Sequence, residues 1–280
     1  MRRPALCLLA CLAAFAVGAP MACAAEIKLL TAGAMRAVVV AVLADFEKQT
    51  GHKVSLDNDT AGGLSKRIDG GEAFDVAIIT PAVVDEGFAP FVAGVVQSGE
   101  ELDADARVRF AHGTPADDDL VGACADEISA SEGVAIKEGA PAPDIGTVDA
   151  FKRTLLAAKS VAYIDPKAGG SSGIYFDKLL DRLGIADQVR PKAKLKAGGY
   201  VAELVANGEA EIAIHQISEI VPVKGVTLAG PLPAEIQNST VYAGGIGAAA
   251  KDGAAAKALL AFLAGSAIDP ILKSKGMQKP

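Results

Sequence analysis

Tryptophan is absent from this chain of 280 residues, and there are only 4 Tyr and 9 Phe. A buried core must therefore come from Ala, Val, Ile and Leu packed in regular elements. Cysteine is almost as scarce. Three of the 4 Cys (Cys7, Cys11 and Cys23) fall in the first 25 residues, and Cys124 stands alone beyond them. One cysteine cannot close an intrachain disulfide. The 3 His, His52, His112 and His215, are far apart and lack the paired spacing of a metal site. No G-x-x-x-x-G-K-[ST] run is present, and no G-x-G-x-x-G follows the first apolar segment. Neither a cofactor nor a metal is expected. Past the N-terminus no apolar stretch approaches the roughly 20 residues of a membrane span. Ser171 and Ser172 raise no strong expectation of a hydrolase.

What is present begins with a leader. Arg2 and Arg3 precede an apolar run, Ala5 to Val17, and the small residues Ala22-Cys23-Ala24-Ala25 follow. This is the layout of a secretory signal over residues 1–25, cut after Ala24 or Ala25. Pro20-Met21-Ala22 before Cys23 makes a poor lipobox. Removing 1–25 takes away two Arg and no acid, leaving 25 basic against 34 acidic residues, a charge of −9. An acidic exported chain is a poor partner for nucleic acid or anionic membrane. A bacterial periplasm suits it, and a monomer is expected.

The pattern then alternates strand and helix. Glu26–Leu30, Lys53–Leu56, Phe74–Ile79, Val134–Ile136, Val161–Ile164, Glu211–Ile214, Val226–Pro231 and Val241–Ala248 read as strands. Helices read at Arg36–Thr50, Leu64–Ile68, Val148–Ala158, the segment after Ser171, Gly199–Asn207 and Gly253–Leu263, with a turn at Pro270–Lys275. Such alternation predicts an α/β fold with a mostly parallel sheet. Residues 111–131 are acidic, small and weakly patterned.

The stretch that organises the rest is Val161 to Leu180, VAYIDPKAGGSSGIYFDKLL. A strand, a Gly/Ser turn and a helix start leave backbone N–H groups without partners, and these favour an anion. Ser171 and Ser172 can cap the helix or lend hydroxyls to a ligand. Three further turns share this plan: Gly33-Ala34-Met35, Thr60 to Gly63, and Gly198-Gly199-Tyr200. Gly62–Ile79 and Gly198–His215 also echo each other, each with Gly-Gly, a short helix, Gly-Glu-Ala and an apolar strand. Two similar lobes would place these helix starts around one cleft. His215 ends a strand, either as a hydrogen-bonded structural residue or facing the cleft as donor or base. Glu219 beside it reads as a structural or solvated carboxylate.

In this order, IKLLTAGAMRAVVVAVLADFEKQTG, DTAGGLSKRIDGGEAFDVAII, DPKAGGSSGIYFDKLLDRLGI, AELVANGEAEIAIHQISEI and AKALLAFLAGSAIDPILKSKGM resemble the molybdate-type periplasmic binding proteins of ABC importers. The resemblance implies a type 2 periplasmic binding protein, with two α/β lobes closing on an oxyanion in the hinge cleft. It implies lobe 1 at 26–110 and 225–280 and lobe 2 at 132–224, with 111–131 an atypical insertion near the first crossover. Carried onto this chain, ligand contacts fall at Ala34, Thr60, Gly62, Ser171, Ser172, Gly199 and Gln216. Molybdate binders usually have a Ser where this chain has Ala34, a Ser-rich second turn where it has Thr60-Ala61-Gly62-Gly63, and a Tyr at the place of Gln216. Lost hydroxyls mean lost selectivity for a small tetrahedral anion, and the Gly pair leaves room. The end HQISE is similar to a branch that also resembles periplasmic aconitate isomerase. The resemblance thus implies capture of a molybdate- or tungstate-like oxyanion for a membrane permease. Its alternative is a binder or isomerase of tricarboxylates, with His215 as the base.

Overall fold

The computed structural model describes residues 24–80, 91–92 and 128–279. Leader residues 1–23, Cys124, His112 and most of the 111–131 stretch lie outside the described residues.

The described strands form one sheet, in the order β2-β1-β3-β10-β5-β8-β6-β7. The first half uses β1 (Glu26–Ala32), β2 (Lys53–Asp59) and β3 (Val76–Ile79), with β1 parallel to both neighbours. β3 reads VAII and is buried at every position, as a strand covered on both faces must be. The second half uses β6 (Val161–Ile164), β7 (Ala193–Lys196) and β8 (Ile212–Gln216), with β6 again parallel to both neighbours. A short β4 (Phe91–Val92) pairs with β10, while β9 (Val226–Pro231) and β11 (Met277–Gln278) pair with β5.

Two antiparallel strands join the halves. β10 (Ser239–Gly247) pairs with β3 through Ala243–Ile246 and with β5 through Ser239–Tyr242. β5 (Ile128–Lys137) changes partner along its length: Ile128–Ser131 lie against β10, and Glu132–Ile136 against β8. Ile128–Ser131, the last four residues of the 111–131 stretch, are regular strand. Each half has its own core. Ile27, Leu29, Val38, Val39, Phe46, Leu259 and Leu263 belong to one. Phe151, Leu155, Tyr163, Phe176, Leu179 and Val189 belong to the other, with a smaller Ala- and Val-rich cluster on the opposite face of the same sheet.

Helices cover the faces: α1 (Gly33–Thr50), α2 (Ala61–Asp69), α3 (Val148–Ala157), α4 (Ser171–Arg182), α5 (Ala186–Val189), α6 (Ala202–Ala206), α7 (Ile217–Ile220), α8 (Gly253–Ala264) and α9 (Asp269–Ser274). Three boundaries differ instructively from the periodicity. α1 starts at Gly33, because the small residues that read as a turn take up helical geometry once β1 ends. The segment after Gly199 turns before it becomes helical, since Gly199 has φ +71°, so α6 is short. The terminal turn is a helix followed by a strand that pairs with β5. Among the described residues no single helix is long and apolar enough to cross a membrane.

Candidate anion site in the interlobe cleft

All four small-residue turns meet. Ala32, Gly33, Ala34, Asn58, Asp59, Thr60, Ala61, Gly170, Ser171, Ser172 and Gly199 line one cavity of about 30 Å³, closed on its far side by Ile164, His215, Gln216, Glu219 and Tyr242. Each turn lies at the C-terminal end of a strand, so the sheet delivers them to a common edge.

The three long helix starts are not equivalent. Thr60 caps α2, its hydroxyl accepting from the Gly63 N–H at 3.0 Å. α1 and α4 follow Ala32 and Gly170 and have no side-chain cap. Their first N–H groups have no intrahelical partner, and both starts face the same cavity. The cavity thus receives two uncapped positive helix ends, one from each half of the sheet.

The halves also touch directly. The Thr60 hydroxyl donates to the Ala168 carbonyl at 2.6 Å, and the Gly62 N–H donates to the Gly169 carbonyl at 3.0 Å. Gly62 lies in this contact and does not line the cavity. A Cβ on Gly62 would sit 2.8 Å from the Gly169 Cα, so only glycine lets the two backbones approach this closely. Thr60 spends its hydroxyl on the cap and on this bridge.

The back wall holds the ionisable groups. His215, the penultimate residue of β8, is almost fully buried, and its Nε2 lies 3.2 Å from Glu219 Oε2 in α7. Of the two readings of Glu219, structural or solvated, the second does not hold: it is buried in the cavity wall. It fits because Gly33 has no Cβ, which would lie 2.6 Å from Glu219 Oε1. Burial pushes the Glu219 carboxyl up to about 8, while burial and then the charge of Lys196 push the His215 imidazole down to about 3. Both groups are therefore neutral near pH 7. His215 Nδ1 has no hydrogen-bond partner among the described residues. Glu132, at the point where β5 changes partner, is fully buried, and neither of its carboxyl oxygens is hydrogen-bonded among the described residues. Burial first, and the nearby Glu219 second, raise its carboxyl to about 8.

Gln216 completes the wall. Its Oε1 accepts from the Tyr242 hydroxyl at 2.8 Å, and its Nε2 donates to Ser171 Oγ at 3.4 Å. Residues Gly169 to Gly173 spell the pattern G-x-S-x-G. Ser171, however, meets Gln216, while His215 is engaged with Glu219, so no nucleophile–base pair is set up here. Among the described residues no group of three or more His, Cys, Asp or Glu could hold a metal. Sequence reasoning missed Asn58, Asp59, Glu219 and Tyr242 as cavity residues. The i,i+4 spacing of His215 and Glu219 was the available signal for one of them.

The chain matches the family model described as bacterial extracellular solute-binding protein over residues 27–116 and 128–278. It belongs to that family. Its structural neighbours include the periplasmic molybdate-binding protein of Azotobacter vinelandii, with a TM-score of 0.64 at 17% identity, covering 91% of this chain and 100% of that one. They also include a sulfate-binding protein of Mycobacterium tuberculosis, with a TM-score of 0.63 at 14% identity, covering 91% and 87%. At these identities the likeness establishes the fold, a type 2 periplasmic binding protein. In sequence, this solute-binding protein is 29% identical over 255 residues to an aconitate isomerase from Pseudomonas sp., spanning 89% of this chain and 86% of that one.

Proposed function

We propose that this family member binds a tricarboxylate in the interlobe cleft and interconverts its double-bond isomers, as the aconitate isomerase it resembles does by name. The observation that carries the reading is the His215–Glu219 pair, buried in the cavity wall beside Ser171 and Gln216. A protein that only holds and releases an anion needs donors; it has no use for a desolvated pair of ionisable groups in its cavity wall. The uncapped starts of α1 and α4 supply two seats for carboxylates.

The chemistry is a 1,3-proton shift. A base removes a proton from the CH2 carbon of the substrate, and the electron pair spreads over the allylic system and its carboxylates. A proton then returns to the former vinylic carbon, and the double bond moves one place. One proton leaves and one arrives, so no oxidant, reductant or cofactor is required. In this reading His215 is the Nε2–H tautomer: Nε2–H faces Glu219, which holds the ring, and Nδ1 accepts the proton. The low-dielectric wall keeps the dyad neutral until substrate enters, so it does not repel the incoming anion.

The small cavity, about 30 Å³, favours a second reading: an inorganic oxyanion delivered to the permease of an ABC importer. A tricarboxylate requires the lobes to close less far. A thermal-shift panel on the protein lacking residues 1–25, with cis- and trans-aconitate, citrate, molybdate, tungstate and sulfate, separates the two. Stabilisation by tricarboxylates with isomer interconversion supports the isomerase. Stabilisation by molybdate or tungstate alone refutes it.

A further inference from the structure

β10 passes beside the end of β8, and there Tyr242 meets Gln216. We propose that Tyr242 is a positioning residue: it fixes the Gln216 amide so that the NH2 group, and not the oxygen, faces the bound anion. The proposal rests on the cleft being an anion site, as argued above.

A primary amide offers an acceptor on one side and donors on the other, and the two orientations have nearly the same shape. Packing alone does not choose between them. At Gln216 the choice matters, because the side chain lies between a buried phenol and the cavity. Tyr242 is 3% exposed and Gln216 1% exposed, so neither can turn to water for a partner. The phenol proton needs an acceptor, and Gln216 Oε1 stands 2.8 Å away. With the oxygen held there, Nε2 turns toward Ser171 at the uncapped start of α4. That is the side on which an anion is seated. A flipped amide would aim a carbonyl oxygen at the anion and leave the phenol facing an NH2 group.

The phenol is a dependable anchor. Burial, followed by the nearby Glu219 carboxyl, pushes its ionisation far above the usual range, so it stays a donor over the pH range of a periplasm. Tyr242 belongs to the strand that joins the halves of the sheet, whereas Gln216 and Ser171 belong to the second half. The orientation of a ligand donor is thereby tied to the hinge.

The experiment is a double-mutant cycle with Tyr242→Phe, Gln216→Met and the double variant, reading the Kd of trans-aconitate by calorimetry. Tyr242→Phe should weaken binding roughly tenfold, Gln216→Met at least as much, and the double variant no more than Gln216→Met alone. Additive losses would mean that Tyr242 acts independently of Gln216 and would overturn the proposal. A second readout needs no ligand. In the 15N-labelled protein the Gln216 side-chain NH2 signals, assigned by their disappearance in Gln216→Met, should shift or broaden in Tyr242→Phe while β8 backbone signals stay in place. Unchanged NH2 signals would overturn the proposal. If the wild type binds none of the tricarboxylates, the functional reading fails, and the NH2 signals still decide the role of Tyr242.

Discussion

His215 and Glu219 face each other at 3.2 Å, Nε2 to Oε2, with side-chain exposures of 1% and 9%. Neither has another side-chain hydrogen-bond partner among the described residues, and both line the cavity where four chain turns meet. Removing the imidazole should therefore affect turnover far more than binding. His215→Ala is expected to lower kcat for aconitate interconversion by about 10²- to 10⁴-fold, the usual worth of a general base, with KM changed only a few-fold. Steady-state kinetics followed by proton NMR check this. An equal loss in KM with kcat intact would make His215 a ligand donor only.

Glu219→Gln keeps the shape but replaces the carboxyl with an amide that can turn its NH2 toward Nε2 and select the wrong tautomer of the ring. The expected result is a kcat loss of about 10- to 100-fold, smaller than that of His215→Ala. A full-activity variant would show that Glu219 serves packing against Gly33 alone.

Three buried groups set an unusual pH dependence of stability. Glu132 and Glu219 titrate near 8 in the folded chain against an ordinary value of 4.5, and His215 near 3 against 6.5. Between about 4.5 and 8 the folded state holds carboxyl protons that the unfolded state has released, so the carboxyl contribution falls as pH rises. His215 acts in the opposite sense between about 3 and 6.5. The decline should be steepest from about 6.5 to 8, at up to roughly 1.4 kcal/mol per pH unit for each carboxyl. Urea unfolding at several pH values should show it, and Glu132→Gln should make the slope shallower. A flat profile over that range would contradict the burial argument.

The Gly62–Gly169 approach governs closure. Gly62→Ala introduces a Cβ 2.8 Å from the Gly169 Cα, and the lobes must part to accommodate it. Small-angle scattering in saturating ligand should show a larger radius of gyration than for wild type. Affinity should drop about tenfold, while the ligand-free melting temperature stays close to that of wild type. Scattering curves identical to wild type would show that the contact does not limit closure.

Much of this was legible in the residues, and for physical reasons. Buried parallel strands announce themselves as apolar runs, so β3, β6 and β8 stand out from composition alone. The turns at Ala34, Thr60, Ser171 and Gly199 share a chemistry, and the sheet topology converts that likeness into proximity. What stayed hidden depends on long-range packing. Tyr242 lies 26 residues from Gln216, in a strand whose sequence signals only pairing. Glu132 sits in SASEGVAIK, where nothing local reveals that both faces will be covered. The Gly62–Gly169 contact spans two halves of the chain and cannot be read from either turn by itself.

The most direct test of the central claim is to incubate the protein lacking residues 1–25 with pure trans-aconitate and follow the vinylic proton signals by NMR. The account predicts growth of the cis isomer to equilibrium, lost in His215→Ala although that variant still binds substrate. No conversion by the wild type, together with thermal stabilisation by molybdate or tungstate alone, would contradict it.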